Sequence, residues 1–348
     1  MIMLKDAEGK TRLFYIFDAH HHIGRDVDGH TNNPSSPGGS FDFIKRTGTM
    51  LLSKLSSEKI SFTLHPAIQN ILDKHSEWKS MIGATESIDQ FVAFPFQDVF
   101  RKKPEDTRGE YWRSNENIAR WSTRAPYSFK VVGYGRVNPR EGDLAINELK
   151  YAISIGLRGL KLHPRSDGWS DHITSDEVAR VVIEAAKYGL NVIFDTRGFW
   201  QLEAIYELTL KVLSMIKNTD IPPSNVKIQP AHVGFHTGHD ELYEILAHPN
   251  IHGDLSGVHG AGINKLFSEA KEYIPQYTKR KRWSEAILFG SDFNYFDAPH
   301  ASDVIYYVLS DDFVGDDIDR RNILGYNGIR FNPSYGASLL QKKECASV

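Results

Sequence analysis

Phe14-Tyr15-Ile16-Phe17-Asp18-Ala19-His20-His21-His22 is the stretch on which the reading of this chain turns. Residues 14–19 predict a short buried strand, and three histidines stand at its end. Side chains two apart on a strand share a face, so His20 and His22 point together and suit one metal ion between them. His21 points to the opposite face and reads as structural. A lone His-x-His is a weak signal. It gains weight because Gly290-Ser291-Asp292 ends an apolar run late in the chain, and His232 ends another between the two.

Outward from that motif, short apolar runs alternate with helical patterns after residue 130. The strand-like runs are 131–137, 159–163, 190–195, 226–232, 251–255 and 286–292. Leu144, Leu149, Ala152 and Ile153 mark one helix face. Val178, Val181, Val182, Ala185 and Ala186 mark a second, opened by the capping pattern Thr174-x-x-Glu177. Leu202, Ile205, Tyr206, Val212, Leu213 and Ile216 mark a third. Repeated strand–helix units predict a parallel sheet. The first third is less regular. Residues 60–64 read as a second strand, 24–40 as a long Gly-, Pro- and Ser-rich loop, and 98–128 as a polar stretch with Trp112, Trp121 and Tyr111. Stretches 24–60 and 98–128 are taken as loop insertions on one α/β unit, a (β/α)8 TIM barrel over residues 1–348.

The chain has 348 residues, 41% apolar and 24% charged, enough for a large core. A net charge of -3 argues against nucleic acid as a partner. The basic run Lys279-Arg280-Lys281-Arg282 reads as a solvated helix face. The single cysteine, Cys345, excludes an intrachain disulfide and a Cys-based zinc site. No signal pattern and no membrane-length apolar run is present, so no membrane partner and a cytoplasmic location are expected.

Chemistry-bearing residues recur where the strands end: His20, His22, Lys161, His163, Asp195, His232 and Asp292. Burying such groups is costly unless they meet and satisfy one another. A parallel barrel brings its strand C-termini to one mouth, which is the physical case for a single centre.

These segments resemble the amidohydrolase superfamily, in particular the amidohydrolase 2 branch related to aminocarboxymuconate semialdehyde decarboxylase. The resemblance runs over most of the chain. It is carried by Asp18-Ala-His-His-His-Ile-Gly24, Val132-Gly-Tyr-Gly-Arg-Val-Asn-Pro139, Gly156-Leu-Arg-Gly-Leu-Lys-Leu-His-Pro164, Asn191-Val-Ile-Phe-Asp-Thr-Arg-Gly198, Ala231-His-Val-Gly234, Ile287-Leu-Phe-Gly-Ser-Asp292 and Asn322-Ile-Leu-Gly-Tyr-Asn327. The resemblance implies a distorted (β/α)8 barrel holding a divalent metal, often zinc. It makes His20 and His22 first-strand ligands and Asp292 both ligand and general base. It makes His232 a residue that polarises the substrate or helps to activate water.

The chain departs from the family where a fifth-strand histidine is usual, because Asp195 stands there. Asp195 either ligates the metal, shifting preference from zinc towards manganese or magnesium, or pairs with Lys161. Lys161 is either carbamylated, as in two-metal members, or a plain cation, the reading preferred here for one metal. His163 contacts substrate or caps the loop before Pro164. Arg136 and Arg197 bind a substrate carboxylate or form internal ion pairs. His65 is expected to be a satisfied core histidine, and most of His236, His239, His252, His259 and His300 surface residues.

The resulting expectation is metal-dependent hydrolysis of a C–N or C–O bond in a small molecule: an amide, lactone or ester. Asp292 is the base and His232 the oxyanion stabiliser, with His163, Arg136, Lys161 and Arg197 as substrate contacts. A non-oxidative decarboxylase of an aromatic or dienoic acid is the first alternative. A catalytically inactive barrel that binds a ligand is the second, kept open by Asp195. A homodimer is expected by analogy alone.

Overall fold

Among the described residues, eight short parallel strands, each followed by a helix, succeed one another around a ring. The structure is a computed structural model that describes residues 1–6, 8–23, 37–55, 58–82, 87–95, 107–279 and 281–332. The strands are β1 (Phe17–Asp18, resuming at His22–Ile23), β2 (Gln90–Pro95), β3 (Val131–Gly133, continuing as Gly135–Arg136), β4 (Gly159–Leu162), β5 (Asn191–Phe194), β6 (Lys227–Pro230), β7 (Gly253–Asp254) and β8 (Ile287–Leu288). The helices are α1 (Gly38–Lys54), α2 (Trp112–Ser122), α3 (Asp143–Ser154), α4 (Asp176–Lys187), α5 (Phe199–Ile216), α6 (Asp240–Ala247), α7 (Ala261–Tyr277) and α8 (Ala298–Leu309).

Parallel ladders join β1 to β2, β2 to β3, β3 to β4, β4 to β5, β5 to β6 and β7 to β8. A single parallel bridge, Ile228 to Ile251, links β6 to β7. Backbone bonds close the ring between β8 and β1: Ala19 N–H to Phe289 O at 2.8 Å, Asp292 N–H to His20 O at 2.8 Å and His22 N–H to Phe293 O at 2.6 Å. The expected (β/α)8 architecture is therefore present, with its ladders shortest at β7 and β8.

Two apolar layers hold it. Phe17, Ala19, Val92, Phe94, Tyr134, Ile193, Ala231, Leu288 and Phe331 fill the barrel itself. A larger layer packs helices on strands, and α4 shows why the sequence folds so. Val178, Val181, Val182, Ala185 and Ala186 are buried on one face, while Asp176 and Glu177 open the helix and Lys187 closes it, complementing the helix dipole. The cap is Ser175, whose hydroxyl accepts from Val178 N–H, and not the Thr174 pattern.

The first third corrects the sequence reading. The strand at Ile60–Phe62 pairs antiparallel with Ile2–Lys5, which also pairs with Thr11–Phe14, in a small outer sheet. The second barrel strand is Gln90–Pro95. Its residues 91–95 are all buried, as a strand covered on both faces must be, whereas Ile60–Phe62 is buried only at Ile60. Phe14 accordingly belongs to the outer sheet. His65 is exposed there and caps the helix Pro66–Leu72. The two stretches taken as insertions each carry a barrel helix, α1 within 24–60 and α2 within 98–128. Residues 24–36 and 98–106 of those stretches lie outside the described residues, as does Cys345.

The basic run is not a solvated helix face. It follows the end of α7, and Lys281 is 7% exposed. Its ammonium donates to Leu246 O at 3.0 Å, His248 O at 3.1 Å and Ile251 O, satisfying carbonyls left over where α6 ends. Arg282 is tied to Asp316 and Asp319.

A buried carboxyl joins α2, α3 and β3. Asn115 donates to Glu148 Oε1 at 2.7 Å and to Arg136 O at 2.9 Å. Burial lifts the Glu148 carboxyl from 4.5 to about 7, outweighing the Asn115 hydrogen bond. A raised folded value means that the native state binds more protons between those two pH values. Stability is therefore lost as pH rises from 4.5 towards 7 and stays lower above. Glu148→Gln keeps the acceptor for Asn115. Its unfolding free energy at pH 8 is expected to exceed the parent's by about 1–3 kcal/mol, with no gain at pH 4. Thermal melts at the two pH values check this. No helix among the described residues is long and apolar enough to cross a membrane.

Candidate metal centre

The first strand is irregular where its chemistry lies. Between the pairs Asp18–Phe91 and His22–Phe94, β1 advances four residues while β2 advances three. The extra residue makes a bulge, a device that re-aims side chains at the rim of a sheet. Asp18 fixes the bulge from below. Its Oδ1 accepts Ser291 N–H at 2.8 Å and its Oδ2 accepts Ser291 Oγ–H at 2.6 Å and His21 Nδ1–H at 3.1 Å. His21 thus points away from the mouth, towards Ser40 and between Phe91 and Phe293. Gly290 allows β8 to come this close, since a Cβ there would stand 2.9 Å from His20 Cβ.

His20, His22 and Asp292 then converge. Asp292 Oδ1 lies 3.4 Å from His20 Nε2 and 3.2 Å from His22 Nε2. The three donor atoms fall within 4.8 Å of one another and all three side chains are buried. Burial is the main reason that both imidazoles are held neutral. Burial alone would raise the Asp292 carboxyl, but His232, His22 and His20 outweigh it and keep the group ionised. Neutral imidazoles with an ionised carboxylate are the states in which these donors bind a cation. Asp292 Oδ2 is buried with no hydrogen-bond partner, an orphan that a ligand or reactant would satisfy. The donor set fits a divalent metal held by His20, His22 and Asp292.

His232 stands on the other side of Asp292, its Nδ1 3.9 Å from Asp292 Oδ2. Its Nε2 faces Asp195 Oδ1 at 3.2 Å and its Nδ1 faces Ser256 O at 3.1 Å. Asp195 and Ser256 O can only accept, and the Ser256 hydroxyl, 2.9 Å from Nδ1, gives its own proton to Asp254, so protons on both ring nitrogens satisfy every neighbour and His232 reads as an imidazolium. Burial opposes this charge, but Asp292, Asp195 and Asp254 overcome it and raise the group above the ordinary histidine value. His232 and Asp292 both adopt the left-handed backbone region, with φ of 59° and 54°. Non-glycine residues there carry local strain, which tends to gather at functional positions.

Asp195, read as a fifth-strand metal ligand, stands outside the clustered donors. Its carboxylate serves His232, with His163 Nδ1 at 3.5 Å and Arg197 Nε at 3.6 Å as further neighbours. Nor is it paired with Lys161 within 4 Å among the described residues. Lys161 donates to His20 Nε2 at 3.3 Å and lies over Phe94. Burial lowers its ammonium to about 8.

The substrate-contact residues divide. His163 Nδ1 accepts from Ser166 N–H at 3.3 Å, which caps the loop after β4. Arg136 is fully buried, with Nη2 2.7 Å from Asp167 and its guanidinium over Tyr111, so its charge is met internally. Arg197 is about one-third exposed and lies 5.9 Å from the Tyr295 ring, which is itself half exposed and 6.2 Å from His22. His236, read as a surface residue, is buried beside Phe199. Asp254 went unnoticed in the sequence. Yet it too is an aspartate near the end of a strand-like run, 251–255, much the signal that marked Asp195 and Asp292.

No protein-family model and no curated protein matches the sequence. Solved structures do. An amidohydrolase-type protein from Staphylococcus aureus superposes with a TM-score of 0.54 at 12% identity, over 91% of this chain and 99% of that one. A 5-carboxyvanillate decarboxylase from Sphingomonas paucimobilis gives 0.54 at 12%, over 92% and 99%. A 4-oxalomesaconate hydratase from Rhodopseudomonas palustris gives 0.53 at 16%, over 95% and 99%. Followed from β1 around to β8, the fold of this chain is a TIM barrel, similar over nine-tenths of its length to these structures.

Proposed function

We propose that this chain is a metal-dependent enzyme of the amidohydrolase type that hydrolyses a C–N or C–O bond of a small molecule. The observation that carries the reading is the division of labour within Asp292. Its Oδ1 faces His20 and His22, while its Oδ2 is free and faces His232. One carboxylate thereby offers a ligand oxygen and a basic oxygen in one place. A divalent cation held by His20, His22 and Asp292 supplies Lewis acidity, lowering the pKa of water to about 7 and polarising a carbonyl.

The side chains do the rest. Asp292 Oδ2 takes the proton from the attacking water. The His232 imidazolium stands where charge develops on the carbonyl oxygen, and can hand a proton to the departing nitrogen or oxygen. Asp195 holds the ring in orientation and keeps it charged. Arg197 and Tyr295, both partly open to solvent, receive the remainder of the substrate.

A second reading is a non-oxidative decarboxylase. The doubly protonated ring of His232 favours it, because carbon–carbon cleavage of an acid needs a proton delivered to carbon. The similar 5-carboxyvanillate decarboxylase gives the reading its substrate class, an aromatic acid. One experiment separates the two. Metal-loaded protein is incubated with panels of amides, esters and lactones and of aromatic and dienoic acids. Acid release from the first panel supports hydrolysis; carbon dioxide release from the second supports decarboxylation and overturns hydrolysis.

A further inference from the structure

One densely bonded buried side chain at the mouth is neither a donor in the metal cluster nor an acid–base group. Asp254, at the end of β7, is fully buried. Its Oδ2 lies 2.9 Å from His20 Nδ1 and 2.8 Å from Gln229 Nε2. Its Oδ1 accepts His232 N–H at 3.1 Å, Ser256 N–H at 3.1 Å and the Ser256 hydroxyl. One carboxylate therefore touches β1, β6 and the loop after β7, and reaches both a metal donor and the backbone of the acid–base histidine.

We propose that Asp254 is a positioning residue that holds the proton of His20 on Nδ1, so that the Nε2 lone pair faces Asp292 and the metal, and that anchors His232 in its left-handed backbone. This inference rests on the metal reading above. An ionised carboxylate has only lone pairs to offer, so the hydrogen bond at 2.9 Å requires the proton to be on His20 Nδ1. A neutral imidazole has one proton, so Nε2 is left bare and basic. It meets the Lys161 ammonium as donor at 3.3 Å, and it is the nitrogen that lies near Asp292. A carboxylate behind a metal-binding imidazole also raises its basicity.

Asp254 is itself held. Gln229 Nε2 bonds it and Ala19 O at 3.0 Å; Gln229 Oε1 accepts from Asn191 Nδ2 at 2.6 Å; and Asn191 Nδ2 also lies 3.1 Å from the Tyr134 hydroxyl, which bonds Asn332. This file of buried amides and hydroxyls crosses the inside of the barrel from the chain's last described helix to the mouth. A barrel interior is ordinarily filled with apolar branched side chains. A polar file is costly where atoms go unbonded; each side chain here has a partner, Asn191 Oδ1 stays without one, and the file ends on Asp254. Its last amide, Gln229 Nε2, donates to Asp254 Oδ2, and so helps to fix which oxygen meets His20.

The test uses metal-free, full-length protein labelled with ¹⁵N-histidine, together with zinc titration against a chromophoric chelator. Long-range ¹H–¹⁵N correlation is expected to show His20 as the Nδ1–H tautomer. Asp254→Asn is expected to move that resonance towards the Nε2–H form and to weaken zinc binding about 10–100-fold. Gln229→Met leaves the carboxylate in place but removes its amide donor, and is expected to give a smaller shift in the same sense. Should Asp254→Asn fail to fold, Gln229→Met carries the test. A wild-type tautomer and wild-type zinc affinity in the folded variants would overturn the proposal. A parent protein that shows the Nδ1–H tautomer yet binds no zinc would leave the tautomer assignment standing and sink the metal reading instead.

Discussion

Asp292→Asn is expected to leave the barrel folded and to lower kcat/KM by about 10³-fold, within the range for loss of a general base. The fold should survive because Asp292 sits at φ 54°, and asparagine is among the few residues that tolerate that region. The amide oxygen can still face His20 and His22 as Oδ1 does now. The amide nitrogen, in place of Oδ2, has no basic lone pair to take a proton. Some metal affinity is lost with the charge, so turnover is to be measured at saturating metal. A melting temperature within a few degrees of the parent, with activity near background, is the expected pair of results. Full activity in a folded variant contradicts the role given to Oδ2.

The second large effect concerns Asp195 and His232 as a unit. His232→Asn is compatible with the left-handed backbone at φ 59° and removes the acid, for an expected loss of about 10²–10³ in kcat/KM. Asp195→Asn is expected to cost about 10², since an amide neither orients the ring so firmly nor keeps it charged. The informative quantity is the double variant. Asp195 Oδ1 lies 3.2 Å from His232 Nε2, and if it acts through that ring, its loss matters little once the ring is gone. The double variant should then be no worse than His232→Asn by more than a few-fold. Losses that multiply would show Asp195 acting in its own right, as the fifth-strand metal ligand that the sequence suggests.

The later barrel was legible in the sequence for a plain reason. From β3 to β8 each strand is short, buried and bounded by turn residues, and each helix carries one apolar face. The first third was harder because two rules compete there. Residues 60–62 have the alternation of a half-buried strand and do form one, but on an outer sheet that periodicity cannot distinguish from the barrel. Residues 91–95 are apolar throughout, a pattern shared by buried strands and buried helices. At the mouth, His20, His22 and Asp292 were legible from strand-end position. The allegiance of Asp195 was not, because a carboxylate at a strand end serves a metal or an imidazole equally well, and only the fold places it 3.2 Å from His232 Nε2. Arg136 was ambiguous in the same way until Asp167, 31 residues on, proved to neutralise it. Lys281 was misread because a run of cations is ordinarily solvated, and only the tertiary fold shows three carbonyls waiting for one of them.

The central claim is that His20, His22 and Asp292 hold a divalent metal. It is tested most directly by elemental analysis of the desalted protein, purified without chelators and supplied in turn with zinc, manganese and magnesium. The parent chain is expected to retain about one ion per chain with at least one of these metals, and the folded His20→Ala/His22→Ala variant to retain almost none. A parent that retains no metal, or a double variant that retains as much as the parent, would contradict it.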